Sequence, residues 1–209
     1  MKNILLITAS FLIIGCGSEA TEEGALVSVK KIPEITVNDY IYNLGEVTIK
    51  WTAFKHSAKA QVGGKFKSAE VKGFNESTDL STAITGVTFK IPVASTSTND
   101  EVRDYKIVNS FFNTMVDTDY ISGRILSIDE NGSGKLVINM NGQEVEKLYK
   151  WEMDQASKEI YLKTSIDVLN WGAEPSLDAL NEVCLEQHTG PDGKNVLWPN
   201  VDITVIVDL

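Results

Sequence analysis

The sequence predicts a mainly β fold of six to eight antiparallel strands carrying two short helices. Three observations support it: apolar residues recur at every second position in segment after segment, turn residues sit at the joints, and only two segments show spacings of three and four. Alternating strands, unlike the continuous apolar strands of buried parallel sheet, form antiparallel sheet. Linked by hairpins, they make either a sandwich or a closed barrel, and a barrel removes exposed edges.

The first element stands outside that fold. Lys2 followed by an apolar run from Ile4 to Ile14 has the layout of a secretory signal. At ~1.5 Å per residue this run falls short of a hydrocarbon core about 30 Å thick, so a cleaved signal over 1–15 fits better than a permanent span. Its end, Ile13-Ile14-Gly15-Cys16, resembles the lipobox of bacterial lipoproteins, in which the cysteine is acylated and begins the mature chain. More than one acyl chain on Cys16 would anchor stably. From Gly17 to Lys31 small and acidic residues follow without periodicity, so 16–36 reads as a lipidated N-terminus and flexible tether, and 37–209 as the folded domain.

With Cys16 used by lipid, only Cys184 remains and no internal disulfide forms. The domain must rest on its core, and a domain of about 170 residues buries about 70% of its unfolded surface. Loss of Lys2 with the signal takes the formal charge from −10 to −11. Such acidity argues against nucleic acid as a partner and gives no attraction to anionic lipid, so the anchor alone would hold the protein to a membrane. The expected place is the bacterial cell envelope, on the outer membrane facing the periplasm, because Gly17 offers no retention signal; a homodimer is possible.

Within the domain, Val47, Ile49, Trp51 and Ala53 share one side of a strand, and Val87, Phe89, Ile91 and Val93 one side of another. Alternation continues through Leu136 to Met140, Val145 to Met153, Ile160 to Val168 and Val201 to Leu209. Turn chemistry sits at Glu130 to Gly134, at Asn141-Gly142 and at Gly190 to Gly193. Asn99 or Asp100 can cap a helix whose apolar stripe is Val102, Tyr105, Val108, Phe112 and Met115. Pro175 to His188 reads as a second helix, stopped by Gly190-Pro191.

Catalytic motifs are missing. His56 and His188 are the only imidazoles, and the sequence contains neither a Gly-rich phosphate loop nor a His pair at metal-ligand spacing, so no catalytic residue and no metal site is assigned. His188 reads as a helix-end residue capping carbonyls. Carboxylates are plentiful, but none stands out as a pair for acid–base work. The cluster Asp100 to Asp104 reads as capping plus an ion pair of Arg103.

That same region resembles the YceI-like, or polyisoprenoid-binding, family. Its pattern is a strand, a Ser/Thr-rich step, Asn, Arg-Asp and a helix ending in a Phe pair, matched by Thr96, Ser97, Thr98, Asn99, Arg103, Asp104, Phe111 and Phe112. Val47 to Val71 looks like the family's first hairpin, and Leu177 to Ile203 like the closing helix, loop and strand of a lipoprotein branch. Tyr105 stands where the pattern usually places His, so no role is carried over to that position.

The resemblance implies an up-and-down, lipocalin-like barrel of about eight strands holding a long apolar molecule such as an isoprenoid or quinone, as ligand and not as cofactor, with no catalytic step. Val47, Ile49, Trp51, Phe89, Ile91, Phe111, Phe112 and Met115 are then expected in the pocket wall, although alternation does not tell inside from outside. Thr98, Asn99, Arg103 and Asp104 are expected to be structural. The competing expectation is an envelope scaffold with a filled barrel whose loops bind a protein. A hydrolase using surface carboxylates ranks third.

Overall fold

A computed structural model of the chain describes residues 40–209. The expected signal, Cys16, the tether and residues 37–39 lie outside the described residues. In chain order, β1 (Val47–Lys55) and β2 (Ala60–Phe66) form a hairpin, followed by β3 (Glu70–Lys72), α1 (Leu80–Ile84) and β4 (Thr88–Pro92). A 3₁₀ turn, Val93–Ser95, then leads into β5 (Thr96–Ser97) and α2 (Glu101–Ser110). The meander β6 (Tyr120–Asp129), β7 (Ser133–Met140), β8 (Gln143–Asp154) and β9 (Glu159–Asp167) follows. Helices α3 (Glu174–Val183) and α4 (Leu185–His188) precede the last strand, β10 (Leu197–Asp208).

All strands belong to one antiparallel sheet in the order β3-β4-β6-β7-β8-β9-β10-β1-β2-β5. Its two ends are tied together by the chain itself. Strands β2 and β3 lie at opposite ends yet are separated only by residues 67–69, and β4 and β5 only by Val93–Ser95. Such links span at most about 15 Å, so the sheet must be rolled. Between the two links Lys67 N donates to Ser95 O at 2.9 Å, which continues the β2–β5 ladder. The result is the expected barrel; β3 and β5 are short additions to eight longer strands.

Sequence alternation located six of those eight longer strands, and the first-hairpin resemblance covered β2. Strand β6 was not expected, because Gly123 interrupts its apolar positions and a bulge between Ile125 and Ser127 shifts the period. Val93, expected to end a strand, lies in the 3₁₀ turn. The hairpin at Asn141-Gly142 is as expected, with φ of 51° and 68°, both in the left-handed region that a primed two-residue turn requires.

The helices differ more. Four form where two were expected: α1 was unforeseen, and the segment from Pro175 to His188 breaks at Cys184 into α3 and α4. Asp100 caps α2, accepting from Val102 N and Arg103 N at 3.1 and 3.0 Å. The expected apolar stripe of α2 is incorrect, because Val102 and Tyr105 are each 69% exposed. Asp104 sets the rotation instead: its carboxylate accepts from Thr98 N and Oγ1 at 2.7 and 2.6 Å, which turns Asp104, Ile107 and Phe111 toward the barrel.

Two apolar clusters close the barrel. One gathers Ile84, Val87, Ile128, Tyr149, Ile160 and Leu209 beside α1; the other gathers Val93, Phe112, Met115, Val168 and Trp171 beside α2 and α3. Among the described residues no helix is long and apolar enough to cross a membrane.

Candidate ligand-binding interior

Between the clusters lie two cavities stacked along the barrel axis, a lower one of about 170 Å³ and an upper one of about 130 Å³. The strands specify the stacking. Along β1, Val47 and Ile49 face the lower cavity and Trp51 and Ala53 the upper; along β10, Val207 and Val205 face the lower, Ile203 both, and Val201 the upper. Phe66, Ile121, Met140, Ile166 and Ile203 border both cavities and form a waist between them.

Room inside a barrel of this size has to be made, since its own side chains suffice to fill it. Here three aromatics lie flat on the wall because each sits opposite a glycine: Trp51 pairs with Gly64, Phe89 with Gly123 and Tyr149 with Gly134. A Cβ added at any of the three glycines would collide with the partner's ring. Cross-strand glycine–aromatic pairs thus keep the rings off the axis.

Strand pairing is also interrupted at one place in the wall. The β8–β9 ladder runs from Asp154 and Glu159 to Lys150 and Lys163 and stops, although both strands continue. Beyond it the Thr164 hydroxyl donates to Leu148 O at 2.8 Å. Tyr149, Lys163, Thr164 and Ile203 border both the lower cavity and a groove on the outside, so at this splay the same residues face interior and surface.

The residues expected in the wall divide accordingly. Val47, Ile49, Phe89 and Ile91 border the lower cavity; Trp51, Phe111 and Phe112 border the upper. The Phe pair meets edge to face, with ring centres 5.1 Å apart. Met115 borders neither, because a 3₁₀ turn over Phe112–Thr114 takes it out of helical register into the adjoining cluster. The waist residues on β2, β6, β7, β9 and β10 were not expected in the wall; alternation put Met140, Ile166 and Ile203 on strands, but only strand register shows which residues meet.

Around the motif, Asn99 takes a left-handed φ of 61°, and Arg103 pairs with Asp100 at 3.3 Å. With Asp104 holding Thr98, these four residues fasten α2 over the upper end. A third hollow of about 200 Å³ lies beneath α2, α3 and α4, bordered by Trp51, Arg103, Lys106 and His188. His188 does not cap a carbonyl through its ring. Its Nδ1 donates to Asn181 Oδ1 at 2.9 Å, and the amide chain continues through Asn195 to Leu185 O. The carbonyl partner belongs to His56, whose Nε2 donates to Gln187 O at 2.9 Å. Burial, with Lys55, His56 and Lys106 nearby, pushes His188 down to about 4. Burial also raises the Tyr149 phenol, beside Asp129. Among the described residues no three His, Cys, Asp or Glu side chains converge on a metal site.

Fold and interior define a class: a helix-capped antiparallel β-barrel enclosing an apolar chamber. No protein-family model and no curated protein matches the chain. Solved structures do. The crystal structure of Burkholderia cenocepacia BcnA is similar over 77% of this chain and 94% of its own, at 10% identity and a TM-score of 0.52. A polyisoprenoid binding domain from Saccharophagus degradans, implicated in plant cell wall breakdown, is similar over 80% and 95%, at 11% identity and a TM-score of 0.55. A Campylobacter jejuni YCEI protein matches over 57% and 76%, at 16% identity and a TM-score of 0.43. The chain shares the fold of the first two.

Proposed function

We propose that this protein binds a long apolar or amphiphilic molecule, isoprenoid, quinone or fatty-acid-like, inside its barrel for storage, transport or protection. The observation that carries the reading is the pair of stacked apolar cavities, held open by three glycine–aromatic pairs. Support comes also from the shared fold with a polyisoprenoid binding domain and from the YceI-like pattern between Thr96 and Phe112. Burial of each CH₂ contributes about 0.8 kcal/mol, so a chain needs few polar contacts to bind. The reading assigns no chemical step. It includes attachment to the bacterial cell envelope through lipid on Cys16, at the periplasmic face of the outer membrane.

Native mass spectrometry with organic extraction of protein from a bacterial host tests the binding. The expected result is a stoichiometric adduct that extracts as an isoprenoid or other long-chain lipid. A clean apo mass, with no uptake when prenyl lipids are offered, rejects binding in favour of a scaffold. Intact-mass analysis of the membrane fraction tests the anchor: a diacyl or triacyl increment on Cys16 is expected, and an unmodified cysteine overturns it.

A further inference from the structure

Of the polar groups bordering the two cavities, all but one are engaged. The Tyr149 hydroxyl donates to Ser127 O at 2.7 Å, the Thr164 hydroxyl to Leu148 O at 2.8 Å, and Trp198 Nε1 to His56 O at 2.7 Å, while Lys163 pairs with Glu152 at 2.5 Å. Away from the upper cavity, Trp151 and Trp171 likewise give their indole protons to backbone carbonyls. Trp51 does not. It is 8% exposed, it borders both the upper cavity and the third hollow, and among the described residues no group accepts from its Nε1. Buried donors without an acceptor are rare, because desolvation is not offset.

We propose that Trp51 Nε1 is the donor for the ligand's polar end, and that this end is an uncharged acceptor oxygen of the carbonyl type, with the chain running from there through the waist into the lower cavity. This rests on the binding reading and narrows it to an amphiphile with a ketone-like or ester-like head. The head is uncharged because no ionised side chain borders the upper cavity, where an unpaired charge would be strongly disfavoured. Lys106 and Arg103, which border the third hollow, are already held by Val183 O and Asp100. Gly64 fixes the donor's place: the indole lies on its Cα and leaves the ring no room to turn that way.

The full-length chain and its Trp51→Phe variant are equilibrated with decan-2-one or decane vapour at matched activity, and bound amounts are read by gas chromatography. The ketone-to-alkane binding ratio is expected to fall about tenfold in the variant, as for loss of one hydrogen bond in an apolar site. An unchanged ratio, with both compounds bound, overturns the head contact and leaves the binding reading standing. If neither compound binds wild type, both readings are overturned. Should Trp51→Phe not fold, the indole N–H resonances of the native chain decide. Decan-2-one, and not decane, is expected to shift the Trp51 signal alone; an unmoved Trp51 signal overturns the proposal.

Discussion

His188 and Trp51 are both buried polar side chains near the helix-capped end, and their partners separate a structural role from a binding one. His188 is bound into the Asn181–Asn195 amide chain and is held neutral, its pKa pushed from 6.5 down to about 4. Between those values the unfolded chain takes up a proton that the folded chain refuses, so stability is full above about pH 6.5 and falls as pH drops toward about 4. The loss amounts to roughly 3 kcal/mol. In urea unfolding at several pH values, His188→Gln should flatten this slope even if it lowers stability throughout; an unaltered slope would assign the dependence to other groups. Trp51 is governed by Gly64. In Gly64→Ala the atoms nearest the new methyl are those of the indole, so the ring must swing away, toward the axis. The expected cost is about 1–3 kcal/mol, with loss of ketone preference, measured by urea unfolding and vapour uptake.

At the level of elements, helix α2 shows where sequence periodicity stops being informative. Val102, Tyr105 and Val108 recur at helical spacing, yet the rotation follows Asp104, whose two hydrogen bonds from Thr98 outweigh the exposure of two apolar side chains. Asp104→Ala should cost about 2–3 kcal/mol, as for charge-assisted bonds, whereas Tyr105→Ser should stay within about 0.5 kcal/mol. Equal effects in thermal unfolding would restore the apolar stripe. Alternation was a better guide in the strands, since a wall with one face inward imposes a period of two. Strand β6 escaped it where Gly123 accommodates Phe89 and the bulge displaces Ile128. The cavities escaped it altogether, because they depend on which glycine faces which aromatic across paired strands, and register, not alternation, decides that.

For the molecule as a whole, capacity is set by the waist. A cavity of about 150 Å³ lined by Leu, Ile and Phe holds a benzene-sized guest, so the two cavities here hold two such pieces, separated by Phe66, Ile121, Met140, Ile166 and Ile203. A chain longer than about a dozen carbons must part these side chains or widen the splay between β8 and β9. Met140 is the residue to shorten, being buried, unbranched and held on a strand, β7. Met140→Ala should cost about 2–5 kcal/mol in the free protein while joining the two cavities. Ligand then restores part of that loss in proportion to its occupancy. Competition between ten-carbon and twenty-carbon prenyl ketones provides the measurement. The variant should favour the longer chain several-fold more than wild type does, and should gain more thermal stability from it. If chain-length preference is the same in both proteins, the ligand does not pass the waist, and the lower cavity is packing space that the tail never reaches.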